Sequence, residues 1–195
     1  MIAGLFLFAV GTFMSLQARL GLSPWDVLHD GLRLQTPLSF GVATISVGAA
    51  LVILGLAVGV RPGPGTIANM VLIGVFVDLL LATGIGDGLN RSGLVLRALV
   101  LVAGIIVVGL GSALYIGAGL GAGPRDGVML AVATRTRARI GVARACVEGS
   151  ALLMGIALGG RVGIGTVLFA VGIGPSVDLW FTVFRMDSSG HARKR

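Results

Sequence analysis

The stretch Leu20-Gly21-Leu22-Ser23-Pro24-Trp25-Asp26-Val27 returns as Leu120-Gly121-Ala122-Gly123-Pro124-Arg125-Asp126-Gly127, offset by 100 positions without a gap. The same offset pairs Gly4 with Gly104, Gly11 with Gly111, Gly41 with Gly141 and Gly55 with Gly155. It continues through Gly59/Gly159, Arg61/Arg161, Gly63/Gly163, Gly65/Gly165, Thr66/Thr166, Gly74/Gly174 and Asp78/Asp178. Apolar runs resemble one another by chance, but chance does not align Pro, Asp, Arg and Thr in register, so the chain reads as two copies of one unit. Whatever fold it takes must be assembled from two similar halves, each with a polar motif set between apolar runs.

The solvent for that fold is a bilayer. Only 12% of residues are charged and the mean hydropathy is +1.00; a soluble domain carries about twice that share of charge. Apolar runs at 2–18, 40–60, 67–82, 94–118, 140–158 and 167–184 give six candidate spans, since a span takes about 20 residues. Residues 21–37 and 124–134 are too short and too charged to face lipid. Ser23-Pro24-Trp25-Asp26 nonetheless starts a helix well, with Ser as N-cap, Pro at N1 and an acid at N3; that helix is expected to reach about Leu34. Thr66 is expected to cap the third span.

Residues 1–18 lack a basic leader and match residues 101–118 in mid-chain, where no signal peptide can stand, so they read as a retained span. The missing basic flank suggests a true start upstream of Met1. Residues 1–90 form the first expected repeat, 91–185 the second, and 186–195 a basic, disordered tail.

Three spans per copy is an odd number, so the second copy is expected to enter the membrane upside down. The expected fold class is therefore all-α: a polytopic membrane helix bundle of two inverted repeats, each with three spans and one short non-spanning helix. Were the short helices also to span, the copies would be parallel. With both termini in the cytoplasm, the cluster Arg135, Arg137, Arg139 and Arg144 lies inside together with Arg61, Arg125 and the tail, as the positive-inside rule asks. The net charge of +7 therefore reads as orientation rather than nucleic-acid binding. Cys146, the single cysteine, allows no intrachain disulfide and is expected to be small and buried.

The stretch Arg19-Leu20-Gly21-Leu22-Ser23-Pro24-Trp25-Asp26-Val27-Leu28-His29-Asp30-Gly31 resembles the signature of the YczE/YyaS/YitT family of bacterial integral membrane proteins. Ser39-Phe40-Gly41 and the stretch from Arg61 through Gly65-Thr66 add to the likeness, which covers Gly4 to about Trp180. In the second copy Gly123 and Arg125 stand where the motif has Ser and Trp, so a site need not be symmetric. The resemblance implies a multi-pass protein of the bacterial inner membrane and brings no catalytic residue with it.

The candidate chemistry lies in the repeated polar residues. Asp26 and Asp126 either satisfy their own helix ends or, as ends of buried half-helices, frame a substrate or ion site. Asp78 and Asp178 fall twelve residues past a repeated Thr, roughly 18 Å along a helix and near mid-depth. A carboxylate there costs on the order of 3 kcal/mol, so each is either a structural tie or a proton or cation site. Arg61 and Arg161 either snorkel to the headgroups or clamp an anion beside the next helix start.

The remaining polar residues read as structure. Glu148, four residues after Arg144, reads as an intrahelical ion pair. Trp25, His29 and Asp30 have no counterparts in the second copy and read as an interfacial aromatic and solvated charges. Gly55-x-x-x-Gly59 and Gly155-x-x-x-Gly159 read as small-residue seams, placing a tight crossing of spans two and five at the pseudo-twofold axis.

No metal cluster, nucleophile with its base, or nucleotide loop is present in the sequence, so no enzyme, metal or cofactor is expected. The expected partners are the bilayer and a small-molecule or ion substrate, with no nucleic acid and with a homo-oligomer left open. The preferred function is a secondary transporter or permease. The alternative is a membrane scaffold or regulator that binds a partner protein and moves nothing.

Overall fold

A computed structural model describes residues 1–121 and 123–186; the expected basic tail lies almost wholly outside them. The described residues form eight α-helices: α1 (Ile2–Ala18), α2 (Pro24–Gln35), α3 (Phe40–Ala57), α4 (Pro64–Ala82), α5 (Leu94–Ile116), α6 (Pro124–Thr136), α7 (Ile140–Ala157) and α8 (Ile164–Val183). No strand occurs among the described residues. Helices α3, α4, α5, α7 and α8 are long and apolar enough to cross a membrane, and α1 is apolar but seventeen residues long. Large apolar side chains such as Ile53, Val95 and Val171 stand exposed on the outside, a surface suited to lipid and not to water. The protein is an all-helical, multi-pass membrane protein.

Local chemistry sets the helix starts. Ser23 caps α2, its Oγ accepting from the backbone N–H of Asp26 at 3.2 Å, and Ser39 caps α3 by accepting from Val42 N–H. The fourth and eighth helices begin earlier than the Thr residues suggest. Thr66 and Thr166 lie at N3, and their hydroxyls accept from the N–H of the N-cap residues Gly63 and Gly163. Reaching back from N3 satisfies the N–H of the N-cap residue itself, whereas an N-cap Thr would satisfy an N–H inside the first turn.

The two copies meet along α1 and α5. A Cβ on Gly4 would lie 2.9 Å from the carbonyl oxygen of Gly111, and one on Gly111 would lie 2.6 Å from that of Gly4. Gly11 and Gly104 face each other in the same way, at 2.6 and 2.9 Å. Low numbers on one helix meet high numbers on the other, so the two run antiparallel. The close approach is possible only because both sides lack side chains.

Around this crossing the contacts come in matched pairs. Helix α2 packs on α7 as α6 packs on α3, α4 lies on α1 as α8 lies on α5, and α2 touches α3 as α6 touches α7. The Gly65 N–H donates to Leu120 O and the Gly165 N–H to Leu20 O, both at 2.8 Å. Two matches are missing: α3 packs on α4 and α4 touches α6, whereas among the described residues neither α7 with α8 nor α8 with α2 packs comparably.

The glycine seams therefore differ from the expectation. Spans two and five (α3 and α7) are not the central crossing. Gly59 and Gly159 are turn residues with φ of 81° and 85°, a conformation that glycine enters without a Cβ penalty. Gly155 makes a tight contact, but with the backbone of Val27 and Leu28 on α2. Cys146 is exposed on the outer face of α7 rather than buried.

Candidate functional site

The amino ends of α2 and α6 open on one interior cavity of about 90 Å³. Every one of the eight helices contributes to its wall: Phe8 and Thr12 from α1, Trp25, Asp26 and His29 from α2, Phe40 from α3, Asn69 and Met70 from α4. Val108 from α5, Arg125 from α6, Arg144 and Glu148 from α7 and Phe169 from α8 complete it. The cavity thus lies where both copies converge.

Asp26 is buried there, 7% exposed. The Ser23 hydroxyl donates to its Oδ2 at 2.6 Å, and His29 Nδ1 stands 3.4 Å from its Oδ1. Asp126 is held differently because Gly123 offers no hydroxyl; the Tyr115 phenol donates to its Oδ2 at 3.4 Å. Arg125, in the place of Trp25, lies over the Phe8 ring with its guanidinium carbon 5.5 Å from the centroid. Arg144 and Glu148 form the expected intrahelical pair at 3.0 Å.

Two buried nitrogen atoms in this wall make no hydrogen bond, Trp25 Nε1 and His29 Nδ1, the latter having only its 3.4 Å contact with Asp26. A buried indole N–H without an acceptor costs about 1–3 kcal/mol. Trp25 and His29, each 7% exposed, and Asp30, fully buried, are therefore interior residues and not the interfacial and solvated groups that their lack of repeat partners suggests.

Asp30 is the most heavily bonded acid among the described residues. Arg161 grips it with Nε to Oδ2 at 2.8 Å and Nη2 to Oδ1 at 3.1 Å, and its backbone N–H adds a third bond to Oδ2 at 3.2 Å. Arg33 donates to Oδ1 at 2.9 Å. Burial pushes the carboxyl pKa up, but the bonds and charge of Arg161 and the bond from Arg33 outweigh it and hold the group below the ordinary carboxylate range. The anion that Arg161 clamps is thus part of the protein itself. Arg61 is exposed, and the place of its partner acid is taken by Leu130.

Asp78 precedes the end of α4 by four residues and stands level with the start of α3, not at mid-helix. Its Oδ1 accepts from the Gly41 N–H at 2.7 Å, and Oδ2 accepts a very short bond from Ser39. It therefore completes the cap of α3 from the neighbouring helix. Asp178 is exposed, and no side-chain bond joins it to α7 among the described residues. The structure thus brings Asp26 and the end of α6 to one cavity, and leaves Asp78, Asp178, Arg61 and Arg161 outside its wall. The groups that sequence reasoning missed, Trp25 and His29, carried a signal in being motif residues on a helix too short to meet lipid.

Comparison with known proteins places this arrangement in a family. An uncharacterized protein from Haemophilus influenzae is 34% identical over 177 residues, covering 89% of this chain and 78% of the relative. The uncharacterized membrane protein YczE of Bacillus subtilis is 34% identical over 177 residues, covering 87% and 78%. The uncharacterized protein YyaS of the same bacterium is 27% identical over 168 residues, covering 85% and 82%. No solved structure matches. A model of the family of unknown function DUF6198 matches residues 1–182, and the chain belongs to that family.

Proposed function

We propose that the protein is a secondary transporter or permease for a small solute, built from two inverted repeats that take turns in closing one side of a shared cavity. One observation carries this reading: a pair of glycines and an aspartate repeated in both copies stand in two different arrangements. In the first copy α3 lies on α4. A Cβ on Gly41 would collide with the carbonyl oxygen of Gly74, and Asp78 caps the start of α3. In the second copy Gly141, Gly174 and Asp178 are all present, yet nothing lies within 4 Å of where a Cβ on either glycine would stand. One latch is shut and its duplicate is open.

Antiparallel α1 and α5 place the two latches at opposite ends of the bundle, which is the geometry alternating access requires. In the reverse state α7 swings onto α8, Gly141 meets Gly174, and Asp178 takes the amides at the start of α7 together with Arg139. Asp178 then forms an ion pair where Asp78 makes a hydrogen bond. Asp78 and Asp178 act in this reading as closing residues, and the solute sits at the α2 and α6 ends.

The test uses cysteines at 139 and 178 in a Cys146→Ala background, in proteoliposomes, with a short bis-methanethiosulfonate cross-linker. The expected result is time-dependent joining of the second pair. A pair that never joins, while a control pair at 39 and 78 joins at once, overturns alternating access. It leaves the fixed membrane scaffold as the better reading.

A further inference from the structure

We propose that the cavity binds a small monocarboxylate, its oxygens held by Trp25 Nε1 and the Arg125 guanidinium and its carbon chain lying among the phenylalanines. The inference deepens the transport reading, and rests on it only for the carboxylate being cargo.

The argument turns on which polar groups of the wall are already committed. Each acid has its own donor: Asp26 has the Ser23 hydroxyl, Asp126 has Tyr115, and Glu148 has Arg144. Each of those acids therefore already has one donor. The donors are in the opposite condition. Trp25 Nε1 is a donor only, is buried, and has no acceptor. Arg125 makes no ion pair within 4.0 Å among the described residues, and its bond with the Tyr115 hydroxyl leaves most of its five N–H groups free.

Trp25 and Arg125 line the same recess, together with Asp126, Arg144 and Glu148. Repeat symmetry puts them at matched positions, one residue after Pro24 and Pro124 at the amino ends of α2 and α6, where two helix dipoles also favour negative charge. Planar guanidinium against carboxylate is the geometry arginine binds best. A cavity of about 90 Å³ walled by Phe8, Phe40 and Phe169 suits a short aliphatic body and excludes a large or highly charged anion.

The test uses the full-length protein with Trp180→Phe, which leaves Trp25 as the one tryptophan of the two in the chain. Sodium propionate is titrated while Trp25 emission and the thermal midpoint are followed; sodium chloride and propylammonium chloride are the controls. Propionate is expected to give a saturable emission change and a raised midpoint, with no response to either control. Trp25→Phe, read by thermal midpoint in the chain that keeps Trp180, removes the N–H together with part of the ring and is expected to weaken apparent propionate affinity about tenfold, the lower end for an unmade bond to a charged ligand. Arg125→Gln is expected to weaken it further.

Binding of propylammonium instead of propionate, no response to propionate, or wild-type affinity in Trp25→Phe overturns the proposal. The transport reading fails separately. Propionate that binds but crosses no proteoliposome retires transport and leaves the site, whereas flux of another solute without propionate binding does the reverse.

Discussion

Arg161→Ala is expected to lower the stability of the detergent-solubilised protein by about 3 kcal/mol, the low end for removing one partner of a buried ion pair. The low end applies because the Arg161 side chain is 40% exposed and partly screened, whereas that of Asp30 is wholly buried. The substitution leaves Asp30 with Arg33 and the backbone N–H of residue 161, and removes two side-chain hydrogen bonds. It also loosens the junction of α2 with the turn before α8, since Arg161 ties the first copy to the second. Arg61→Ala, the same change at the repeat-related position, is expected to stay within about 0.5 kcal/mol, as exposed surface changes do.

The pH dependence carries the sign of a depressed acid. The contribution of Asp30 is full above its unfolded pKa of about 3.9 and fades as pH falls through the lower folded value. Thermal midpoints should therefore separate Arg161→Ala from wild type at neutral pH and converge below pH about 4. Equal losses for Arg61→Ala and Arg161→Ala would contradict the assigned partner.

The second large effect concerns movement. Cross-linking cysteines at 39 and 78 holds the first latch shut. In proteoliposomes it is expected to cut propionate exchange at least tenfold, with thiol cleavage restoring the flux. Cross-linking at 139 and 178 is expected to do the same from the other state. The reasoning is that a carrier confined to one state presents its cavity to one side only, so its exchange rate falls with the population of the missing state. Unchanged exchange in a fully cross-linked sample would remove the latches from the transport cycle. The un-cross-linked cysteine variants are the necessary control, because losing the Asp78 cap by itself costs about 1 kcal/mol of stability.

What the sequence disclosed was local or repeated. The Ser23-Pro24-Trp25-Asp26 start of α2 follows from capping chemistry within four residues, and the structure shows it with the helix running one residue past Leu34, to Gln35. The bonds Gly65–Leu120 and Gly165–Leu20 follow from glycines and turns repeated at a fixed offset. The Asp30–Arg161 clamp was hidden for the opposite reason. Its partners stand 131 positions apart, and the repeat is broken at Leu130, so the absence of a match read as an absence of role.

The central glycine seam was visible in Gly4, Gly11, Gly104 and Gly111, each spaced seven apart on one helix face. The shorter-spaced Gly55 and Gly59 drew attention from it, although Gly59 is needed for its positive φ. Asp78 stands nearer the end of its helix than the spacing from Thr66 suggests, because the helix already begins at Pro64 and stops at Ala82. The difference between α3–α4 and α7–α8 is not legible in the repeated Gly41/Gly141, Gly74/Gly174 and Asp78/Asp178, which are shared; the residues around them are not, with Arg139, Glu148 and Pro175 standing where the first copy has Ser39, Gly48 and Val75.

That difference is also where the account is most exposed. Spin labels at 139 and 178, and separately at 39 and 78, give distance distributions by pulsed electron resonance in a Cys146→Ala background in liposomes. The account expects two populations for each pair, a close one and an open one. Addition of propionate should move weight between them in opposite directions for the two pairs. A single unchanging distance for each pair, short at 39–78 and long at 139–178 under every condition, would contradict it.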